Sequence, residues 1–389
     1  MLQVQDKTIL GFTEDHLDAL GAGLTAREIA QQGSVWLRAD VSGNRRAAVA
    51  AFLEPLLARD DLRIVLTGAG TSAFIGECLV PAMLAQGRRA EAIATTDLVS
   101  GPGLFFQPQV PTLLVSFARS GSSPESLAAV ALADQLLPEV HHLIITCNAE
   151  GALYRAAQTC RSAYAILLPD ATHDRGFAMT TSFTSMLLTA ALAFDLFPAV
   201  AVERLARAAL ALPEQALPTM QALVAGQFRR VVYLGSNALR GLAREAALKL
   251  LELTDGQVVA LFDSPLGFRH GPKTIVDSET LVVVMLSNDP HARRYDLDLL
   301  RELRRDGHAG RVLALSGRPE RELGADCVEI GGVDSAGDLE LALPYIVFCQ
   351  CFALLQSLAL GLRPDTPSVS GTVNRVVRGV TIHPFTEKT

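Results

Sequence analysis

The feature that most constrains the fold is a near-repeat. Short runs rich in Val, Ile and Leu recur along the chain, each ending in small or polar residues and followed by a helix-like stretch. LRIVLTGAG (62–70), TLLVSFARSGSS (112–123), HLIITCN (142–148) and AYAILLP (163–169) form one series. RRVVYLGSN (229–237), TLVVVMLSN (280–288), RVLALSG (311–317) and DCVEIGG (326–332) form a second. Ile64 and Val231 lie 167 residues apart, Leu113 and Leu281 168, and Leu143 and Val312 169. Apolar strands alternating with helices predict parallel sheets covered on both faces. The nearly constant offset predicts that one α/β domain occurs twice. The first ~45 residues read as a polar helical arm, with Thr25 and Glu28 at the spacing of a capping box. The expected organisation is an arm over 1–45, a first domain over 46–213 and a second over 214–389. Pro213 and Pro218 flank the expected connector.

Composition narrows the function. Of 389 residues, 49% are hydrophobic and 19% charged, enough apolar material for full cores and unlike a disordered chain. A net charge of −7 without a long basic run argues against a nucleic-acid partner. The six cysteines are scattered without a Cys-x-x-Cys pair, so a zinc site is not expected and a reducing compartment is. The N-terminus lacks a basic start followed by an apolar run, so no secretory signal is expected. Residues 341–362 are apolar but interrupted by Pro344, Gln350, Gln356 and Ser357, which predicts a buried helix rather than a membrane span. A cytoplasmic protein without a membrane partner follows.

In open α/β sheets, ligands bind beyond the carboxyl ends of the strands. Ser120, Gly121, Ser122 and Ser123 stand between an apolar run and a helix. Free amides at a helix start, with hydroxyl donors, suit a phosphate dianion, and Gly121 allows close approach. A serine-rich turn alone is more often a helix cap. Here Thr67-Gly-Ala-Gly-Thr-Ser72 follows the preceding strand and adds Thr71 and Ser72. Neither loop has the G-x-x-x-x-G-K-[ST] pattern, and Ala73 stands where G-x-G-x-x-G needs its third glycine, so the expected ligand is a small phosphate ester. In the second half, Glu245, Lys249 and Glu252 share one helix face. A solvated salt-bridge stripe is the bland alternative. The surrounding Ala246, Ala247, Leu248, Leu250, Leu251 and Leu253 favour a functional stripe on a buried helix. His270 follows in a Gly/Pro-rich loop. A carboxylate and a His near a phosphate pocket are what proton transfer on a sugar phosphate needs. Where the first half has Ser120–Ser123, the second has Ser287-Asn-Asp-Pro-His291, whose Asp289 would repel a phosphate. One phosphate cradle is expected, with the catalytic groups in the second half.

These residues resemble the sugar isomerase (SIS) family. The resemblance rests on Gly68-Ala-Gly-Thr-Ser72, Ser120-Gly-Ser-Ser123, Gly176-Phe-Ala-Met-Thr-Thr-Ser-Phe-Thr184, Glu245-Ala-Ala-Leu-Lys249 with Glu252, and His270-Gly-Pro272, and spans about 25–385. It implies two doubly wound, flavodoxin-like SIS domains, similar to the isomerase half of glucosamine-6-phosphate synthase. No N-terminal Cys glutaminase domain is present, so a glutamine-fed synthase is not expected. Asp263-Ser-Pro-Leu-Gly-Phe-Arg-His-Gly-Pro272 most resembles the galactosamine-6-phosphate deaminase/isomerase group, AgaS, also called tagatose-6-phosphate ketose/aldose isomerase.

The resemblance implies phosphate binding by Ser72, Ser120 and Ser123, helped by Thr71 and Ser122. Glu252 stands where the family has its base between carbons 1 and 2, and His270 where it has its ring-opening residue, which reaches the site from a neighbouring subunit. Glu245 and Lys249 match residues that orient sugar and base. Arg378 stands where the synthase branch has a Lys. An Arg is a poor proton carrier, so Arg378 is assigned to substrate binding. The implied protein is a homodimer or homotetramer that deaminates and isomerises a hexosamine 6-phosphate. It needs no metal or other cofactor, since the amino group and carbonyl acidify the carbon enough for a positioned base. A plain tagatose-6-phosphate isomerase and a sugar-phosphate sensor are the rival readings.

Overall fold

The structure is a computed structural model describing residues 8–38, 43–371, 373–375 and 379–386, with backbone only at 43–45. Thr8–Ile9 (β1) and Phe12–Thr13 (β2) form a short antiparallel hairpin. Arg63–Thr67 (β3), Arg89–Ala92 (β4), Thr112–Ala118 (β5), Val140–Thr146 (β6) and Ala163–Leu167 (β7) build one sheet. Arg230–Gly235 (β8), Val259–Asp263 (β9), Thr280–Met285 (β10), Arg311–Ser316 (β11) and Cys327–Glu329 (β12) build another. Every pair within both sheets is parallel. The orders are β4-β3-β5-β6-β7 and β12-β11-β10-β8-β9. Counted within each half, either order is 2-1-3-4-5, the flavodoxin-like winding. The duplicated α/β fold expected from the repeat is present.

Two strands escaped the sequence reading. Both β4 and β9 are edge strands with mixed exposure, and Arg89-Ala-Glu-Ala92 lacks the apolar run that marks a buried strand. The hairpin is also additional to the expected helical arm. It turns through Leu10 and Gly11, at φ +52° and +84°. Helices Glu14–Ala19 and Gly23–Trp36 follow it.

The chain forms two compact units. The first-sheet unit draws on Arg38–His173, Ser182–Ala199 and Val376–Thr389; the second-sheet unit draws on Met1–Leu37, Asp174–Thr181 and Val200–Arg375. In the first, β5 is buried at every position. Val65 and Leu114 pack against Ala129, Leu132 and Ala133 of helix Pro124–Leu136, and Phe385 joins this cluster. In the second, Val232, Val282 and Val284 pack against Leu299, Leu300 and Leu303 of helix Pro290–Asp306. That helix is apolar on one stripe only, as a surface helix should be. Helix Asp338–Ala359 is apolar all round, buried along most of its length, and packs on helix Ala238–Leu253. It is long and apolar enough to cross a membrane, but its burial is that of a core helix. Pro213 lies inside helix Ala201–Gln215, and Pro218 opens helix Leu217–Ala225.

The capping-box reading of Thr25 and Glu28 is overturned. The N-cap is Ala22, so both residues lie inside the helix, and their side chains serve tertiary partners instead. Thr25 Oγ1 donates to Asp365 at 2.7 Å, and Thr25 N does so at 2.8 Å. Glu28 accepts from the amides of Arg175 at 2.5 Å and Gly176 at 3.1 Å. A Cβ on Gly176 would stand 2.8 Å from Glu28 Oε2, so this contact requires glycine. Burial, then the nearby charge of Asp174, pushes the Glu28 carboxyl up to about 7, against the pull of the two amides.

Because the folded pKa lies above the unfolded one, the folded state binds the extra proton between them. Glu28's contribution to stability is therefore fullest below about pH 4.5 and is lost as pH rises towards 7, at up to ~1.4 kcal/mol per pH unit. Glu28→Gln, which cannot ionise, should flatten this part of the profile. Denaturant unfolding of both proteins at several pH values checks it, and identical slopes between pH 5 and 7 would sink the idea.

Candidate functional site

The first-sheet unit carries the serine loops. Its switch point lies where β3 and β5 pair, with Thr67 opposite Ser116. After β3 the chain turns tightly into helix Thr71–Ala85. A Cβ on Gly68 would stand 2.5 Å from Ser72, so the turn excludes any side chain there. Gly70, at φ +55°, is the N-cap, and Thr71 and Ser72 are buried in the first turn. After β5 comes Arg119, also buried, to which the sequence reading gave no role. A cation flanking the serine loop suits an anion; its signal was its place directly after a buried strand.

Within the loop, Gly121 has φ +63° and approaches Gly151 so closely that a Cβ would stand 3.3 Å from its Cα. Asn148 Nδ2 holds the Ser120 carbonyl at 2.9 Å. Ser122 Oγ accepts from the Ala152 amide at 3.1 Å, which ties the loop to its neighbour. Ser123 is the N-cap of helix Pro124–Leu136, accepting from the Ser126 amide and donating to Ser126 Oγ at 2.7 Å. A helix start capped in this way also presents the free amides that suit an anion. Among the described residues, the buried Thr67 Oγ1 and Ser116 Oγ have no hydrogen-bond partner; Thr67 ends β3, and Ser116 lies two residues before the end of β5.

The structure brings Ser120, Ser122 and Ser123 into one loop, with Thr71 and Ser72 in the first helical turn after the adjacent strand. Replacing Ser120 and Ser123 with Ala should weaken substrate binding more than it slows turnover. The lost cap should also lower stability by ~1 kcal/mol. Steady-state kinetics checks the split, and an unchanged KM in the folded double variant would refute it.

The second-sheet unit repeats this frame without its hydroxyls. Asn237, 167 residues after Gly70, is the matching N-cap, with φ and ψ of 51° and −122° against 55° and −129°. A Cβ on Gly235 would stand 2.3 Å from Leu239, as one on Gly68 collides with Ser72. Yet Ala238 and Leu239 occupy the positions of Thr71 and Ser72. At this switch point the chain supplies its own anions. Asp296 accepts from Ser236 Oγ at 2.5 Å and from the Ser287 amide at 2.9 Å. Asp338 accepts from Ser287 Oγ at 2.7 Å and from the Asn288 amide at 2.9 Å. Asp289 caps helix Pro290–Asp306 through the amides of His291 and Ala292, at 3.0 and 2.8 Å. Burial pushes Asp296 up to about 6 and raises Asp338 as well. Three carboxylates take the hydroxyl and amide donors that a phosphate would need, so the second crevice is unsuited to one.

This unit also carries the charged stripe, on helix Ala238–Leu253. Glu245 and Lys249 are fully buried; the Glu252 side chain is 25% exposed, so a substrate can reach it. Lys249 Nζ stands 3.6 Å from Glu245 Oε1 and in ion-pair contact with Glu252 Oε2. The solvated-stripe alternative fails on this burial. A buried ammonium between two carboxylates holds all three side chains in fixed places.

His270 lies elsewhere, exposed on the segment after β9. Ser264 caps the short helix Pro265–Phe268, whose Phe268 anchors in the sheet core. Gly271, at φ +118°, turns the chain into Pro272–Ile275. Arg269 and Lys273, on either side of His270, both pair with Glu302, Arg269 at 2.9 Å. The loop is thereby clamped to helix Pro290–Asp306. Arg378 lies outside the described residues.

Comparison with known proteins agrees with this frame. The SIS domain family model matches residues 56–196. A D-galactosamine-6-phosphate deaminase AgaS from Escherichia coli is 48% identical over 380 residues, covering 93% of this chain and 96% of that protein. One from Shewanella sp. strain ANA-3 is 45% identical, covering 98% and 97%. The crystal structure of tagatose-6-phosphate ketose/aldose isomerase from Escherichia coli matches with a TM-score of 0.86 at 44% identity, covering 94% of this chain and 97% of that one. A glucosamine-6-phosphate deaminase from Thermotoga maritima, at 20% identity and TM-score 0.65, shares the fold. With the winding, the paired turns and near-full-length identity in agreement, the chain belongs to the SIS-domain sugar isomerase family, alongside the AgaS proteins.

Proposed function

We propose that this protein converts galactosamine 6-phosphate and water to tagatose 6-phosphate and ammonia by general acid–base proton transfer. The observation that carries the reading is the buried Glu245–Lys249–Glu252 cluster, which leaves one carboxylate, Glu252, open to solvent. Relatives at 45% and 48% identity that bear the deaminase name support the choice of substrate. Thr71, Ser72, Ser120, Ser122 and Ser123 take the phosphate, through hydroxyls and helix-start amides. His270 assists ring opening. Glu252 removes the proton from carbon 2 of the open-chain 2-amino aldose and returns it at carbon 1. The enolamine formed between these steps becomes a ketimine, which water hydrolyses to the ketose and ammonia. Lys249 and Glu245 fix the base. The phosphate-binding task falls to the half around 46–213, and proton transfer to the half around 214–389.

The protein works as a homo-oligomer in this reading, with His270 serving the substrate of a neighbouring copy. Its exposure and its clamped loop fit that task. The deciding experiment is ammonia release across a panel of hexosamine 6-phosphates. Ammonia from the galacto epimer in step with ketose formation is the expected result. Interconversion of tagatose 6-phosphate with its aldose, without ammonia from any amino sugar, would establish the plain isomerase instead.

A further inference from the structure

The first-sheet unit has a polar pocket at the amino ends of β3 and β4, whereas the serine loops follow the carboxyl ends of β3 and β5. It has a volume of about 410 Å³, far more than one phosphate group fills. Its lining combines Arg59, Arg88 and Arg89 with Asp60, over the apolar Leu57 and Leu62. Arg59 is already neutralised by Asp61, at 3.0 Å, and by Glu139. Arg88 is half-buried. Its guanidinium donates to the Phe194 carbonyl at 2.9 Å and lies over the Phe194 ring, 5.6 Å from its centroid. Among the described residues no carboxylate pairs with it, and Asp195 acts on it only through its longer-range charge. Burial pushes this guanidinium below its ordinary range. Arg89 reaches the Asp61 carbonyl only at 3.5 Å. Two guanidinium groups therefore line the pocket beside Asp60, and neither makes an ion pair among the described residues. A half-buried guanidinium with only a distant carboxylate keeps a desolvation cost that a bound anion would offset.

We propose that this pocket binds a phosphate monoester of a small polyol or sugar. The phosphate takes the forked donors of Arg88 and Arg89, the ester's body lies over Leu57 and Leu62, and its hydroxyls donate to Asp60. The pocket is separate from the serine loops and does not depend on the reaction assigned to them.

Equilibrium dialysis of the full-length protein with sorbitol 6-phosphate tests the proposal. Ser120→Ala/Ser123→Ala serves as background, to suppress binding at the serine loops. One equivalent of binding should persist there. Arg88→Gln/Arg89→Gln should weaken it tenfold or more, and Asp60→Asn should change it severalfold. Inorganic phosphate should bind to the same arginines but more weakly, since it lacks the ester's body. Because Arg88 also holds the Phe194 carbonyl, circular dichroism checks the fold of its variants. Should they unfold, Arg89→Gln and Asp60→Asn, both at exposed positions, decide. Absence of residual binding in the serine variant overturns the proposal, as does wild-type affinity in both Arg89→Gln and Asp60→Asn. Equal affinity for inorganic phosphate overturns the assignment to an ester. Failure of the serine loops to bind phosphate would show separately, as sorbitol 6-phosphate binding that the serine substitutions leave unchanged.

Discussion

Glu252→Gln should lower turnover by ~100-fold or more while substrate binding changes little, because the amide keeps the shape and removes the proposed base. The substitution removes the closer of the two carboxylates that pair with Lys249, which keeps Glu245 as a partner at 3.6 Å. Urea unfolding of the variant therefore accompanies the kinetics, and a wild-type midpoint assigns the loss of activity to chemistry. Exchange of solvent deuterium into carbon 2 of the substrate should vanish with turnover. If the variant exchanged that proton at the wild-type rate, Glu252 would not be the base, and Glu245 or His270 would have to take its place. Mixing Glu252→Gln chains with His270→Ala chains extends the test. Partial recovery is expected if the two residues serve one substrate from different copies, and none if each chain is self-sufficient.

Lys249→Met is expected to act on stability first. It removes the ammonium that stands between two carboxylates, one of them fully buried. Breaking a buried ion pair from one side costs ~3–5 kcal/mol, since the remaining charge stays desolvated. Urea unfolding should show this loss, and adding Glu245→Gln should restore part of it, because the amide carries no charge to strand. A loss below ~1 kcal/mol would place the cluster among weak surface pairs.

The strands that carry these groups were legible for a physical reason. β3, β5, β8 and β10 are buried on both faces, and such strands must be continuous apolar runs. The serine loops could be found because strand ends in this winding are where ligands bind. β4 was not legible because Arg89-Ala-Glu-Ala92 has no such run; β9 has one in Val259-Ala-Leu-Phe262, but a run that short does not tell strand from helix. Thr25 and Glu28 misled for a different reason. Their spacing copies a local motif, but their partners are Asp365, Arg175 and Gly176, far away in sequence. The closure of the second crevice was half visible. Asp289 stood out as an anion in the loop. Asp296 and Asp338 did not, because each acts on Ser287 from another element. Their role exists only after folding.

The internal carboxylates of the second crevice also set how each half responds to its surroundings. One switch point has its anions covalently attached through Asp296 and Asp338, at an effective concentration that dilution cannot change. The other, in the proposed reading, borrows its anion from solution. By mass action, a ligand that binds only the native state raises stability with the logarithm of its concentration. Added phosphate ester should therefore protect the amides of Gly68–Ser72 and Ser120–Ser123 from hydrogen exchange, while those of Ser287 and Asn288 stay protected at any concentration. In that reading, duplication has produced a saturable copy of a mould beside a copy that is permanently filled.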